Sequence, residues 1–220
     1  MALIWQYRFD FLIGILWTLK LSVMSAALAF VLSIFAGICR ASRNSFVRIP
    51  ASIYVEFFRG TSALAQLFWL FYVLPYLGVN LSPTQCATLG LGLCFGAYGA
   101  EVVRGCIDAV PKDQIDAAAA LNFSWFHTMR IVILPEALIM MMPLFANLLI
   151  ELIKATSLVS LITIPDLTFQ AKAIISKSYS SGNVLLVTLA IYLAISLAAS
   201  TGMKRIETAL SHGRVVRGVR

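Results

Sequence analysis

The sequence predicts an all-α integral membrane protein with about five membrane-spanning helices. The first observation is composition: 60% of the 220 residues are hydrophobic and only 12% are charged, whereas a soluble domain has about a quarter charged residues. The second is that the apolar residues form long runs, and a helix that crosses a bilayer needs about 20 of them. We expect residues 1–220 to form a single transmembrane domain.

Five apolar runs are long enough to cross a bilayer. The first is the clearest, because no charged residue occurs between Leu21 and Ile38. The five predicted spans cover approximately residues 12–39, 54–77, 85–107, 131–154 and 183–203.

The distribution of basic residues predicts the orientation. Of the 17 lysines and arginines, most lie in the first connection, in the third connection and after the fifth span, and cytoplasmic segments carry such an excess. We therefore expect the N-terminus outside and the C-terminus in the cytoplasm. Because these residues form no single patch, the +7 net charge is not interpreted as a nucleic-acid-binding signal. The predicted cytoplasmic set is Arg40, Arg43, Arg48, Arg59, Arg104, Lys112, Arg130, Lys204, Arg205, Arg214, Arg217 and Arg220.

Small residues recur at helical spacing in the third predicted span. Gly92 and Gly96 are four positions apart, and Gly99 and Ala100 continue the pattern. Small residues at this spacing let two helix backbones approach closely in lipid. The stretch also resembles a glycine-rich dinucleotide fingerprint, but it lies inside an apolar helix and not in a strand–turn–helix unit. Helix packing is the favoured interpretation.

The third connection, residues 111–135, is polar and predicts a short helix. Asp113 and Asp116 favour a helix N-terminus, residues 117–120 are four alanines with the highest helix propensity, and Asn122 tolerates the left-handed conformation that ends helices. So short a helix is not stable alone in water. It needs a surface, which can be the bilayer, its own chain or another protein; the alanine face favours protein.

Two Glu–Arg pairs lie near the inner ends of the second and third spans. Glu56 and Arg59 are three positions apart, as are Glu101 and Arg104. Ionisable groups at membrane depth are costly. They are therefore expected to form ion pairs within or between helices, to act as an inner gate, or to hold the third connection in place.

No catalytic motif is present. The sequence contains no phosphate-binding G-x-x-x-x-G-K-[ST] loop, no nucleophile elbow and no HExxH zinc helix. The cysteines fit no metal or disulfide framework. We therefore expect a chain without a metal or cofactor of its own, and uphill transport would need an ion gradient or another polypeptide as its energy source.

Five segments together resemble the polar amino-acid branch of the ATP-binding-cassette (ABC) importer permeases. The polar connection has Asp116-Ala117-Ala118, then Asn122, then Ile131 to Pro135, similar to the family's EAA loop, which usually has Gly where Asn122 stands. The other segments are WTLKLS (17–22), YVEFFRGTSALAQLFWLFYVLP (54–75), YGAEVVRGCIDAVPKDQ (98–114) and ANLLIELIKATSLVSLI (146–162). The chain departs from the family at Ser62, commonly Pro, and at Ala155, commonly Asp.

The resemblance implies a type I ABC importer permease fold over about residues 13–208, with a cytoplasmic coupling helix in the EAA loop, about 111–135. It implies a polar amino acid or related compatible solute as substrate and the bacterial inner membrane as location. Implied partners are an ATPase subunit dimer that binds ATP and Mg, a second permease subunit, and a periplasmic or lipid-anchored solute-binding protein. The alternative is an ion-coupled secondary transporter. The residues expected to couple to the ATPase are Asp116, Ala117, Ala118, Asn122, Phe123 and Trp125.

The resemblance also places the fourth span beside the solute path. Glu151 and Lys154 can pair with each other or contact the two charges of a zwitterion. Their neighbours Asn147, Thr156 and Ser157 are included in the predicted path. Pro135 and Pro143 are expected to break or kink this helix. Residues 160–183 are interpreted as a short periplasmic helix or a plain linker.

Overall fold

The regular structure of the described residues is helical throughout. The computed structural model describes residues 6–42 and 44–211. Arg43, Arg214, Arg217 and Arg220, which contributed to the predicted orientation, lie outside them. The α-helices are α1 (Arg8–Ala41), α2 (Ser45–Gly60), α3 (Ala63–Phe68), α4 (Pro83–Asp108), α5 (Lys112–Ala120), α6 (Trp125–Thr128), α7 (Leu134–Ala155), α8 (Leu167–Ser178) and α9 (Ser181–Ser211). Two π-helical turns (Trp69–Val73 and Met129–Ile133) and two 3₁₀ segments (Leu74–Leu77 and Thr156–Ile162) extend α3, α6 and α7.

Four described stretches are long and apolar enough to cross a membrane. They are α1, α4, residues 125–162 and residues 181–208. They coincide with the first, third, fourth and fifth predicted spans. Each is longer than predicted, because helices continue past the apolar run into the polar boundary.

The second predicted span, over about 54–77, is present as two helical halves joined at a bend, which the sequence did not predict. Helix α2 ends at Gly60, and the chain then turns by 100° into residues 63–77. Thr61 and Ser62 have extended backbone angles, and Ser62 precedes α3 as its N-cap residue. The two halves count as a span only when they are taken together as a bent pair.

The bend is stabilised by the side chain of Gln66. Its Nε2 donates to the carbonyl oxygen of Phe58 at 3.0 Å and to Thr61 Oγ1 at 2.7 Å. Thr61 Oγ1 in turn donates to the carbonyl oxygen of Phe57 at 2.8 Å. The last carbonyls of a helix have no partner within it, so these side chains satisfy the groups that the bend leaves free.

The small residues of α4 pack closely against α1, as predicted. A Cβ at Gly92 would lie 2.6 Å from Leu28 Cδ2, and one at Gly96 would lie 2.9 Å from Leu32 Cβ. Ser33 Oγ donates to the carbonyl oxygen of Gly96 at 3.2 Å. Helices α1 and α4 therefore form the central pair of the bundle.

The fourth span changes its helical pitch before Pro135. Residues 129–133 form the π-helical turn, and Pro135 follows in the first turn of α7. Ile133 and Leu134 keep helical backbone angles, so the chain changes its pitch here without a break. The predicted break or kink is found only as this change of pitch ahead of Pro135, and α7 continues through Pro143 to Ala155.

Helix α8 is the predicted short helix of residues 160–183, and the linker alternative is wrong. Its first residue, Leu167, donates its backbone N–H to Thr18 Oγ1 at 3.2 Å. A Cβ at Gly14 would lie 2.8 Å from Leu167 Cα. The side chains of Leu167, Ala171 and Ile174 pack with Phe11 and Val184. Helix α8 therefore bridges the start of α1 and the start of α9.

Candidate functional site

Helix α5 presents two different faces. Asp113, Asp116 and Ala117 are exposed, whereas Ala118 is only 2% exposed. Because residues on a helix are 100° apart, the run of alanines is divided between the two faces. Only the exposed face is free to bind another protein, and the predicted coupling residue Ala118 instead packs within its own chain.

The end of α5 has the conformation that the sequence predicts. Asn122 adopts a left-handed backbone with φ 59°. Its N–H donates to the carbonyl oxygen of Ala119 at 2.9 Å, and the N–H of Phe123 donates to that of Ala118 at 3.1 Å. These bonds satisfy the last carbonyls of the helix. Helix α5 consequently stops at a fixed point.

An aromatic group follows this stop. Trp125 and Phe126 are exposed and stand in α6, whose start is capped by Ser124 Oγ, which accepts from the N–H of His127 at 3.4 Å. The Phe123 ring lies 5.9 Å from the His127 ring. The exposed face of α5 and these aromatic side chains are thus consecutive in the chain, and both are available to a partner.

The inner face of α5 is attached to the membrane-spanning helices. Ile115 packs against the cluster that includes Val103 of α4 and Met141 of α7. Gln114 Nε2 donates to Glu136 Oε2 at 3.2 Å. Sequence reasoning missed this contact, because nothing in the spacing relates two residues 22 positions apart on different helices.

Glu101 of α4 is the centre of a network of charged side chains. Its carboxylate pairs with Arg40 of α1, with Arg59 of α2 at 3.0 Å and with Arg104 at 3.4 Å. Arg40 also contacts Glu56 at 3.4 Å. All four residues of the two predicted Glu–Arg pairs therefore belong to one network.

The pairing within this network differs from the simplest sequence expectation. Glu56 contacts Arg40 on another helix, and no ion pair joins it to Arg59 within the described residues. Arg40 was missed as a site residue, because its position after the first span was interpreted only as a topology signal. Its side chain is 7% exposed, so a buried charge is held by carboxylates from two helices.

The predicted solute-path residues do not behave alike. Asn147, Glu151 and Lys154 are exposed on one side of α7. Among the described residues, Glu151 and Lys154 form no ion pair with each other or with any neighbour. Ser157 is half-buried. Thr156 is fully buried and donates its hydroxyl to the carbonyl oxygen of Ile153 at 2.6 Å, so it does not face a path in this conformation.

A cavity of about 900 Å³ lies between α1, α4 and α7. Its wall includes Phe30, Phe95, Leu138 and Phe145, and Ser33 supplies a hydroxyl. Charged side chains are absent from its lining within the described part of the chain. Such a surface suits apolar groups and offers nothing to hold the charges of a zwitterion.

Asp166 caps α8 and is fully buried. Its carboxylate accepts from the backbone N–H groups of Thr168 at 3.2 Å and Phe169 at 3.0 Å, and from Tyr192 Oη at 3.3 Å. Burial raises the pKa of Asp166 from 3.8 to about 6, although these hydrogen bonds and nearby Lys172 act in the opposite direction. The Asp166 side chain therefore links the start of α8 to Tyr192 of α9.

Comparison with known protein families matches residues 29–212 to the family of inner membrane components of binding-protein-dependent transport systems. This chain belongs to that family. The match includes α4, α5 and α7, so the charged network and the short polar helix both lie within the family region. The predicted recognition of an importer permease is thereby confirmed.

Similar proteins and structures agree. The permease is 44% identical over 203 residues to a probable amino-acid ABC transporter permease protein of Sinorhizobium fredii. The aligned region covers 90% of this chain and 85% of that relative. It is 38% identical over 193 residues to a nopaline transport system permease protein of Agrobacterium fabrum, covering 83% and 80%. Its fold matches the crystal structure of an amino acid ABC transporter with histidines, with a TM-score of 0.87, 30% identity and coverage of 93% and 95%. The predicted type I importer permease fold is confirmed.

Proposed function

We propose that this permease moves a polar amino acid, or a related zwitterionic solute such as an opine, into the cell. The similarity of this permease to amino-acid and nopaline transport proteins supports the proposed substrate class. Glu151 and Lys154 support it independently, because these two exposed charges pair with no described neighbour and can bind the amino and carboxylate groups of one solute. Asn147 of α7 and Ser157 of the 3₁₀ segment that follows it would line the same side.

We further propose that α5 is the coupling helix through which ATP hydrolysis drives transport. The observation that carries this proposal is its division into an exposed face, with Asp116 and Ala117, and an anchored face, with Ile115 and Ala118. A partner that contacts the exposed face moves the membrane-spanning helices attached to the other. Asn122, Phe123 and Trp125 extend the exposed surface.

The partners follow from this mechanism. Two cytoplasmic ATPase subunits would hold ATP and Mg²⁺, and this chain would hydrolyse nothing. A second permease subunit, identical or related, would complete the solute path, and a periplasmic or lipid-anchored binding protein would deliver the solute. The N-terminus would face outward, and α5 and the C-terminus would face the cytoplasm.

Ala117→Arg tests the coupling assignment. The change puts a long cationic side chain on the exposed face, where it would block a partner protein, so we expect the co-purifying ATPase to be lost. Membrane insertion should be normal, because the site is exposed and outside the membrane-spanning helices. Gly182→Arg is the matched control, because a Cβ at Gly182 would meet nothing within 4 Å and the site is distant in sequence from α5. Full ATPase recovery with Ala117→Arg would overturn the assignment. Ala118→Arg is unsuitable, because that buried site would disturb the fold itself.

Reconstitution in vesicles tests the energy source. With the ATPase and binding protein present, uptake of the solute should require ATP inside the compartment that contains the ATPase. Uptake that continues without ATP but stops when the proton or sodium gradient is removed would instead identify an ion-coupled secondary transporter.

A further inference from the structure

Gln114 makes the hydrogen bond that joins α5 to α7. Its Nε2 donates to Glu136 Oε2 at 3.2 Å, and both side chains are half-buried. Glu136 stands in the first turn of α7, next to Pro135. Where α5 meets the fourth span, this bond is therefore a polar contact with a defined partner and direction.

The remaining contacts of the anchored face are apolar. Ile115 packs against the cluster of Val103, Met129 and Met141, and Ala118 is buried close by. Apolar contacts are non-directional, so they hold two surfaces together but resist sliding only weakly. A hydrogen bond to a carboxylate is directional and stronger than one between neutral groups.

A π-helical turn lies between the two helices. It covers residues 129–133 and ends two residues before Pro135. Such turns are rare and often occur at functional sites. If α5 moved without a direct connection to α7, this turn would take up the displacement and α7 would remain in place.

We propose that Gln114 and Glu136 are positioning residues that transmit the displacement of α5 to the first turn of α7. The inference rests on the proposed function of α5 as the coupling helix. It adds that the connection passes through one amide–carboxylate contact, which keeps the π-helical turn from absorbing the motion.

The test uses the complete complex of permease, ATPase and binding protein in vesicles. Gln114→Ala and Glu136→Ala should each reduce turnover stimulated by the solute-loaded binding protein by roughly tenfold, the usual effect of losing a hydrogen bond to a charged group. Co-purification of the ATPase and its basal turnover should be unchanged. The double variant should lose no more than either single one, because both changes remove the same contact.

Restoration separates this role from a purely structural one. Gln114→Glu places two carboxylates together and should reduce the stimulated turnover, whereas adding Glu136→Gln re-forms the pair in reverse and should restore it. Glu207→Ala is the control, since among the described residues Glu207 has no ion pair. If an alanine variant fails to insert in the membrane, the comparison of Gln114→Glu alone with Gln114→Glu plus Glu136→Gln still tests the proposal.

Two outcomes would overturn the inference while leaving the coupling assignment intact. One is unchanged stimulated turnover in the Gln114 and Glu136 variants beside a loss of ATPase binding in Ala117→Arg. The other is a double variant whose loss is the product of the single losses. Absence of ATPase binding to the unmodified permease would instead refute the proposed function.

Discussion

Ser33 of α1 occupies the space that a side chain at Gly99 of α4 would need. A Cβ at Gly99 would lie 2.0 Å from Ser33 Oγ and 2.7 Å from Ser33 Cβ. Ser33 Oγ lies 2.6 Å from the carbonyl oxygen of Ala29 and 3.2 Å from that of Gly96, and its single hydroxyl hydrogen donates to one or is shared between the two. The close approach of α1 and α4 at this point therefore requires glycine at position 99, because a Cβ there would clash with Ser33.

Gly99→Ala should destabilise the permease by about 1–3 kcal/mol, because overpacking a close helix contact forces the backbones apart. Thermal unfolding in detergent would measure the change. Gly105→Ala is the control on the same helix, since a Cβ there would meet nothing within 4 Å. It should be neutral or slightly stabilising because alanine favours helices. Equal melting temperatures for the two variants would contradict the close packing described.

Glu101→Ala should cost about 2 kcal/mol, because a buried guanidinium loses its closer carboxylate and keeps only the longer contact with the exposed Glu56 at 3.4 Å. Here the charge left behind is Arg40, whose side chain is 7% exposed. Asp108→Ala removes a carboxylate that is 57% exposed and, among the described residues, pairs with Arg104 alone, so it should cost under about 1 kcal/mol. Chemical unfolding of both variants would test the order, and a larger effect at Asp108 would refute it.

Asp166 should make stability depend on pH in a direction unusual for a carboxylate. Its pKa is about 6 in the folded chain, against an ordinary value of 3.8. Between these values the folded state binds more protons than the unfolded state, so stability falls as pH rises. The contribution is complete below about pH 3.8 and lost above about pH 6.

The measurement is the melting temperature of the unmodified permease relative to Asp166→Asn over this pH range. Asparagine also caps helices well but does not titrate, so the difference between the two proteins should shift by pH 6 in favour of the variant. A constant difference would show that Asp166 titrates at its ordinary pKa.

Glu151→Gln and Lys154→Gln should each raise the KM for solute uptake by roughly tenfold if each side chain bonds a charged group of the solute. Melting temperatures should hardly change, because these residues pair with no described neighbour. Uptake kinetics of the reconstituted complex would test this. Reduced stability with an unchanged KM would instead assign the two residues to packing within the assembly.

The sequence was sufficient to predict four of the spans, because a long apolar run has few alternatives to crossing the bilayer. It also predicted the end of α5 at Asn122, since that local conformation depends on one side chain. Both predictions rest on properties of neighbouring residues. Features of this kind are determined by the chain locally, whatever the rest of the fold does.

The misses involve partners that are distant along the chain. Glu56 and Arg59 have the spacing of an ion pair within one helix, yet Glu56 contacts Arg40. Arg40 is on a different helix and comes close to Glu56 only when α1 and α2 pack together. The 100° bend after Gly60 was missed because Gly60, Thr61 and Ser62 were interpreted as part of one span over 54–77 and not as the boundary between two helices. No periodicity shows where tertiary contacts replace the helical hydrogen bonds.

The hydrogen bonds of Gln66 have a consequence for how the transporter moves. The carbonyl oxygen of Phe58 already has a donor at the bend, so straightening the chain there would break the hydrogen bonds that Gln66 makes to Phe58 and Thr61. The two helical halves on either side of the bend should therefore keep their angle and move as one rigid unit during a transport cycle. Gln66→Leu would remove these hydrogen bonds at a residue outside the proposed solute path and the coupling helix. The angle between the two helical halves should then vary.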